Sequence, residues 1–393
     1  MDFFTNYHEY HIKVIDTLKT ALYKKDNKIF DKIDFYDDSV YEEPLLYACI
    51  NNPNFNFWID SLILGLSDKK DKLDALNVSV FNGTIYIPSI GYYHFKNLDD
   101  TIIQVSVENN DFIFKLNGAI LSYTFRKIIR INEHIELLEC NHPLLARLFL
   151  NEKGGITGVI INAEECYKQE YLDNFNKAFF KIEAIYNQYY ELINKYIKKV
   201  VFYKGEPNSF ATIQAHGIVF FNIDHGNSEV FFLDNILHQC AHVFFNTLTF
   251  DKAKLFTIPH NSDLCFFTGN RNDKGFILYD RYHGLFTQTN INKCFDKCLE
   301  QNLYSGDSYL EFVAKFTSNM NRFATAVKKF DRKEKYKKQG LQWFCFFKNT
   351  FETIYFKNKE LLSLYNVSNQ PYVFDFEIFK KTNNSFIDPK KLS

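Results

Sequence analysis

The sequence predicts an α+β fold, with a mixed N-terminal region built around a small antiparallel sheet and a helix-rich C-terminal half that carries a buried metal-binding helix. Three observations predict it. Ile103, Val105 and Val107 alternate with polar residues, and after Asn109-Asn110-Asp111 the residues Phe112, Phe114 and Leu116 do the same, which is the pattern of a hairpin. From Glu164 to Lys199 the residues Leu172, Phe175, Phe179, Ile182, Ile185 and Tyr189 recur at helical spacing. Beyond Ser228 the chain reads as mostly helix.

The elements follow in chain order. Phe3, Phe4, Ile12, Val14, Ile15, Leu18, Ala21 and Leu22 mark a first helix from Phe3 to Lys25, and a second is expected from Phe57 to Leu66. The charge run Asp68-Lys69-Lys70-Asp71-Lys72 ends that second helix and reads as a solvated face. Gly154, Gly155 and Gly158 cluster three of the fifteen glycines and suggest a hinge. On that reading residues 1–161 form one region and residues 162–393 a second, a division that a length of 393 residues supports. Short strands are expected at Val200–Tyr203 and Gly217–Ile223.

Composition excludes several classes. With 46 basic and 47 acidic residues the net charge is -1, so a nucleic acid is not an expected partner. No apolar run is long enough for a transmembrane helix and Met1–Tyr10 carries no signal-peptide pattern, so no membrane association is expected. Eight scattered cysteines form no CxxC pair, and reduced thiols in a cytoplasmic location are the economical reading. Only seven basic residues are Arg, which draws attention to each of them.

Chemistry concentrates in the histidines. Six of eleven lie between His216 and His283, where uniform scatter would put about two. In the otherwise apolar stretch Leu233–Asn246, the residues Asp234, His238, His242 and Asn246 are each four apart and share one ridge of a helix. Two imidazoles on successive turns can bind one metal ion, with Asp234 and Asn246 placed to accept their ring N–H groups. The pattern is HxxxH. Zinc proteases place a Glu beside the first His as general base, and here that position is Gln239, an amide without useful basicity. An iron enzyme needs no such base, only two or three protein ligands and open positions. His260, Asp263, Asp280 and His283 are the candidates for a third ligand. Arg271 and Arg281 offer forked donors suited to the distal carboxylate of a dicarboxylate co-substrate.

From about Ser209 to Asn290 the chain resembles the HExxH-motif family of peptide-modifying enzymes, described as 2-oxoglutarate-dependent peptide β-hydroxylases associated with ribosomally made, modified peptides. His238 and His242 occupy the two His places, and Phe266–Arg271 resembles the aromatic-rich stretch ending in Arg, without its Ser-Pro-Trp. Tyr282-His283-Gly284-Leu285-Phe286 matches the closing element, so the resemblance favours His283 as third ligand. Gln239 departs from the motif that names the family, and would support the metal site by hydrogen bonding. The resemblance implies Fe(II), 2-oxoglutarate and O₂ as cofactor and co-substrates, Arg271 or Arg281 as the keto-acid anchor, and a peptide substrate that could carry a leader.

Two other readings use the same residues. In a zincin-like hydrolase Zn(II) replaces iron and Glu229 is a candidate base. In a non-catalytic peptide-binding protein the histidines are core residues. The hairpin's strand edges could accept an extended leader peptide, and Tyr279 and Thr287, which flank His283, are candidate pocket residues.

Overall fold

A computed structural model of the chain describes residues 6–68, 70, 73–109, 111–371 and 373–383. The chain opens with α1 (Tyr7–Lys25), α2 (Pro44–Ile50) and α3 (Phe55–Leu66). Nine strands follow: β1 (Leu76–Val80), β2 (Thr84–Ile87), β3 (Gly91–His94), β4 (Thr101–Glu108), β5 (Asp111–Leu116), β6 (Ala119–Ile120), β7 (Thr124–Lys127), β8 (Ile129–Arg130) and β9 (Glu136–Leu137). Then come α4 (Pro143–Ala146), β10 (Gly158–Ile160), α5 (Ala163–Lys168), α6 (Tyr171–Ile185) and α7 (Asn187–Tyr196). The strands β11 (Lys199–Gly205), β12 (Phe210–Ala211) and β13 (Ile218–Asn222) precede a helical stretch. That stretch comprises α8 (Glu229–Leu248), α9 (Cys265–Thr268), α10 (Leu278–Glu300), α11 (Gly306–Phe330), α12 (Lys338–Ser363) and α13 (Phe376–Thr382). The class is α+β, as expected.

Two compact units result. A sheet unit takes Asn6–Leu172 and Leu192–Gly226, and a helical unit takes Asp173–Glu191 with the chain from Asn227 onward. The chain thus leaves the sheet unit and returns to it, which no single cut at 161 describes. The glycines near 155 close a tight loop inside the sheet unit, where the amide of Gly154 donates to Asn151 and Leu150 bridges Ile156.

The hairpin is present. β4 pairs antiparallel with β5, Val105 facing Phe114 and Val107 facing Phe112, and all four are buried. Asn110 of its turn lies outside the described residues, as do Phe3 and Phe4 of the first helix and Lys69, Asp71 and Lys72 of the charge run. Among the described residues three sheets occur where one was expected. Two are antiparallel, ordered β1-β4-β5-β6 and β2-β3-β7. The third is mixed: β11 pairs in parallel with both β9 and β13. Val200–Tyr203 and Ile218–Phe221 are buried at every position, the unbroken apolar run of strands covered on both faces. The single long helix expected from Glu164 to Lys199 is three, and Glu170, with a left-handed φ of 57°, ends the first of them.

A buried ionic cluster ties the mixed sheet together. Lys199 stands opposite Glu136 across the β9–β11 pair and is fully enclosed. Its ammonium lies 2.9 Å from Glu136 and 3.0 Å from Glu43, and donates to the Tyr86 hydroxyl at 2.8 Å. Tyr86 in turn donates to Glu136 at 2.6 Å. Burial alone would pull the ammonium's pKa down, but the two carboxylates outweigh it and hold Lys199 above its ordinary range. Removing one partner of such a cluster strands the others without counter-charge. Lys199→Met is expected to cost about 3 kcal/mol or more of stability, read as a fall in the urea midpoint, and Glu43→Gln with Glu136→Gln in the same chain should recover a large part.

Candidate metal centre

In the helical unit α8 is apolar round most of its circumference: fourteen of its twenty residues are buried. Ser228 starts it by accepting the amide of Phe231 at 2.9 Å, and the same hydroxyl donates to Glu311 of α11 at 2.7 Å. α10 packs along α8, and α11 and α12 pack on α10. α12 starts unusually close to the chain before α9: a Cβ on Gly340 would fall 1.9 Å from the carbonyl oxygen of Leu255, so only glycine fits there. The Tyr282 hydroxyl donates to the carbonyl of Gly340 at 2.8 Å and locks α10 to this point.

Between α8 and α10 three imidazoles stand in a row. The ring centroids of His238 and His242 are 5.0 Å apart, and those of His242 and His283 4.4 Å apart. His283 is 5% exposed, while His238 and His242 keep part of their surface open. Phe245 flanks the row with its ring 5.1 Å from that of His283, and Phe286 and Trp343 pack on Phe245. Burial lowers all three imidazole pKa values, His283 to about 3 and His242 well below the ordinary range, with the neighbouring imidazoles adding to the effect on His242. All three are therefore neutral at pH 7, the state in which an imidazole nitrogen can bind a metal ion.

The row fits an ion pair by pair rather than as a finished triad. Two nitrogens on one ion at ~2.1 Å each are at most ~4.2 Å apart, which rings at these separations can reach. As the side chains stand, Nε2 of His283 lies 3.4 Å from the carbonyl oxygen of Ala241. Among the described residues no group of three or more His, Cys, Asp or Glu side chains is placed to share one ion.

The surroundings differ from the helical ridge read in the sequence. Asp234 accepts from Asn319 at 2.8 Å and from Lys315 at 3.3 Å, both on α11, and acts on His238 through its charge. Burial would raise the Asp234 carboxyl, but Lys315, His238 and these hydrogen bonds hold it below the usual carboxylate range. Asn246 accepts from the Tyr279 hydroxyl at 3.1 Å, and Tyr279 also shares a 2.6 Å hydrogen bond with Thr249. Thr287 donates to the carbonyl of His283 one turn back. Gln239 is buried within α8.

The other candidates have surroundings of their own. Asp263 organises its own loop, accepting the amides of Cys265 at 3.0 Å and Gly275 at 2.6 Å. Asp280 is exposed in the first turn of α10. His260 is half-buried, 6.3 Å ring to ring from Tyr279. Arg271 is exposed in a short turn, and exposed Arg281 lays its guanidinium over Phe276 at 4.1 Å. Glu229 is ion-paired with Lys181 at the start of α8, nine residues and about 14 Å of helix from His238. Arg322 of α11, one of the seven arginines but given no site role in the sequence reading, bears on His238 through its charge, as does Lys315. Only its scarcity as one of seven arginines could have drawn attention to it.

No known protein family matches the chain, and no curated protein matches it. No helix among the described residues is long and apolar enough to cross a membrane.

The cap at Ser228 sets where α8 begins. Ser228→Ala is expected to lower stability by about 1 kcal/mol, measured by urea unfolding, with amide exchange rising first at Val230 and Phe231.

Proposed function

We propose that His238, His242 and His283 form the metal site of a non-haem Fe(II), 2-oxoglutarate-dependent oxygenase that hydroxylates a side chain, at its β-carbon, in a ribosomally made peptide. One observation carries the metal reading: a third neutral imidazole, 41 residues beyond His242 in sequence, stands 4.4 Å from it ring to ring. The reaction and the peptide substrate rest on the resemblance of Ile236–Asn246 and Tyr282–Phe286 to the HExxH peptide-modifying family.

His238 with His242, or His242 with His283, would hold the ion through neutral nitrogens, and all three would share it once a ring turns from its present position. Bound there, iron with the keto acid and O₂ supplies the oxidising power to replace an unactivated C–H bond by C–OH. The protein's part is to orient and to exclude water. Phe245, Phe286 and Trp343 make the inner wall dry, while the open edges of His238 and His242 leave the side by which small reactants enter. Gln239 offers no proton acceptor of useful basicity. Glu229 is engaged with Lys181 far along the helix, so the carboxylate base of a zinc hydrolase has no counterpart at this position. That favours an oxygenase over Zn(II)-dependent cleavage. For the keto acid's distal carboxylate, Arg271 and Arg281 are the candidates the resemblance implies, and Arg322, which donates to the Pro371 carbonyl at 3.2 Å, is a third whose charge bears on His238.

The test is anaerobic loading with Fe(II) followed by 2-oxoglutarate titration, monitored by visible absorption. About one equivalent of iron and a weak visible band on keto-acid addition are expected. His238→Ala and His242→Ala should each lose both while keeping their far-UV circular dichroism. Whichever of Arg271→Gln, Arg281→Gln and Arg322→Gln raises the keto-acid concentration needed by about tenfold identifies the anchor. Iron uptake that persists in both His variants would overturn the site. Tight zinc with no keto-acid band would overturn the reaction.

A further inference from the structure

The sheet unit holds a cavity of about 170 Å³ that nothing above uses. Its walls are the rings of Trp58, Phe81 and Tyr86, and its polar lining includes His142 and Ser79. The exposed Asn82 and Asn141 sit at its rim and give it a mouth.

The polar groups of this cavity are unequal. Tyr86 spends its hydroxyl on Glu136 and Lys199, so it presents a ring. His142, 6% exposed, begins α4, and its Nδ1 accepts the amide of Leu144 at 3.2 Å. Burial, with the charge of Lys199 second, holds this imidazole neutral. A neutral ring that accepts at Nδ1 carries its hydrogen on Nε2. Among the described residues no side chain or carbonyl accepts that N–H. The Ser79 hydroxyl, 8% exposed on β1, likewise has no side-chain hydrogen bond among them. Neither atom is sealed off inside the protein, so each is open to an acceptor that enters the cavity.

Shape and charge narrow that ligand. A cavity of ~150 Å³ accommodates a benzene-sized ring. The Tyr86 and His142 rings stand edge to face with centroids 5.9 Å apart, and Trp58 lies 6.3 Å from His142, a frame suited to a flat guest. Behind the wall the Lys199 ammonium is already paired with Glu43 and Glu136, so the cavity offers no free charge to an ionic guest. We propose that this cavity binds a neutral aromatic ring of about six to nine heavy atoms whose single oxygen or nitrogen acceptor takes the Nε2–H of His142 and reaches Ser79. A tyrosyl or other phenolic ring has this chemistry, whether it is free or carried on a polypeptide.

The test uses the full chain labelled with 5-fluorotryptophan, whose two ¹⁹F signals report Trp58 and Trp343 separately once Trp58→Phe has assigned them. Titration with p-cresol should move the Trp58 signal to saturation and leave that of Trp343 in place. Toluene, with the same shape but no acceptor, should need at least tenfold more. His142→Asn can still cap α4 through its side-chain oxygen, and this variant, with its unfolding midpoint checked, should bring the two probes within about threefold of each other. N-acetyl-tyrosinamide and a Tyr-containing tetrapeptide distinguish the sources. Competition by the peptide at or below the p-cresol concentration assigns a polypeptide side chain, and competition by p-cresol alone assigns a free small molecule. Equal binding of toluene and p-cresol to the unaltered chain, saturation by neither, or an unchanged preference in His142→Asn would each overturn the proposal.

Discussion

A helix that is apolar on nearly every side cannot stay folded in water, and α8 is such a helix. It must be enclosed by other elements, and the enclosure by α10 is what turns two helical histidines into part of a row of three. The same enclosure keeps the imidazoles neutral, because the cost of burying a charge exceeds what the neighbouring groups return. Enclosure is incomplete on one side only: His238 and His242 keep open edges while His283 is sealed. These two rings are reachable from solvent because the packing stops there.

The sheet unit solves a different problem by similar means. Its parallel strands are covered on both faces, so a charge among them needs partners inside the protein. Lys199, Glu43, Glu136 and Tyr86 supply one another. That arrangement also consumes the Tyr86 hydroxyl, which leaves the adjacent cavity with rings for walls and His142 as its polar edge. Around the histidine row, Asp234 is likewise satisfied by Lys315 and Asn319 of α11, and so its influence on His238 is electrostatic rather than a direct hydrogen bond.

Much of the local structure was legible in the sequence because it depends on periodicity. The alternation at 103–116 is a hairpin, and the helical spacing from Phe175 to Ile185 lies on α6. Elements missed were those that depend on a single backbone conformation or on distant pairing. The left-handed Glu170 breaks a pattern that the side chains alone would continue. Parallel pairing of β9 with β11 joins residues more than sixty apart, and so a strand pair after residue 198 belongs with the N-terminal sheets.

The candidate site divides along the same line. That His238 and His242 share one side of a helix follows from their four-residue spacing, since helix geometry leaves no other option. That His283 stands beside them, and that Arg322 bears on His238 while Arg271 and Arg281 face solvent, was settled by how α10 and α11 pack. Packing angle and register between helices arise from side chains far apart in sequence fitting into one another. A one-dimensional pattern carries the period of each helix but not the contact between them.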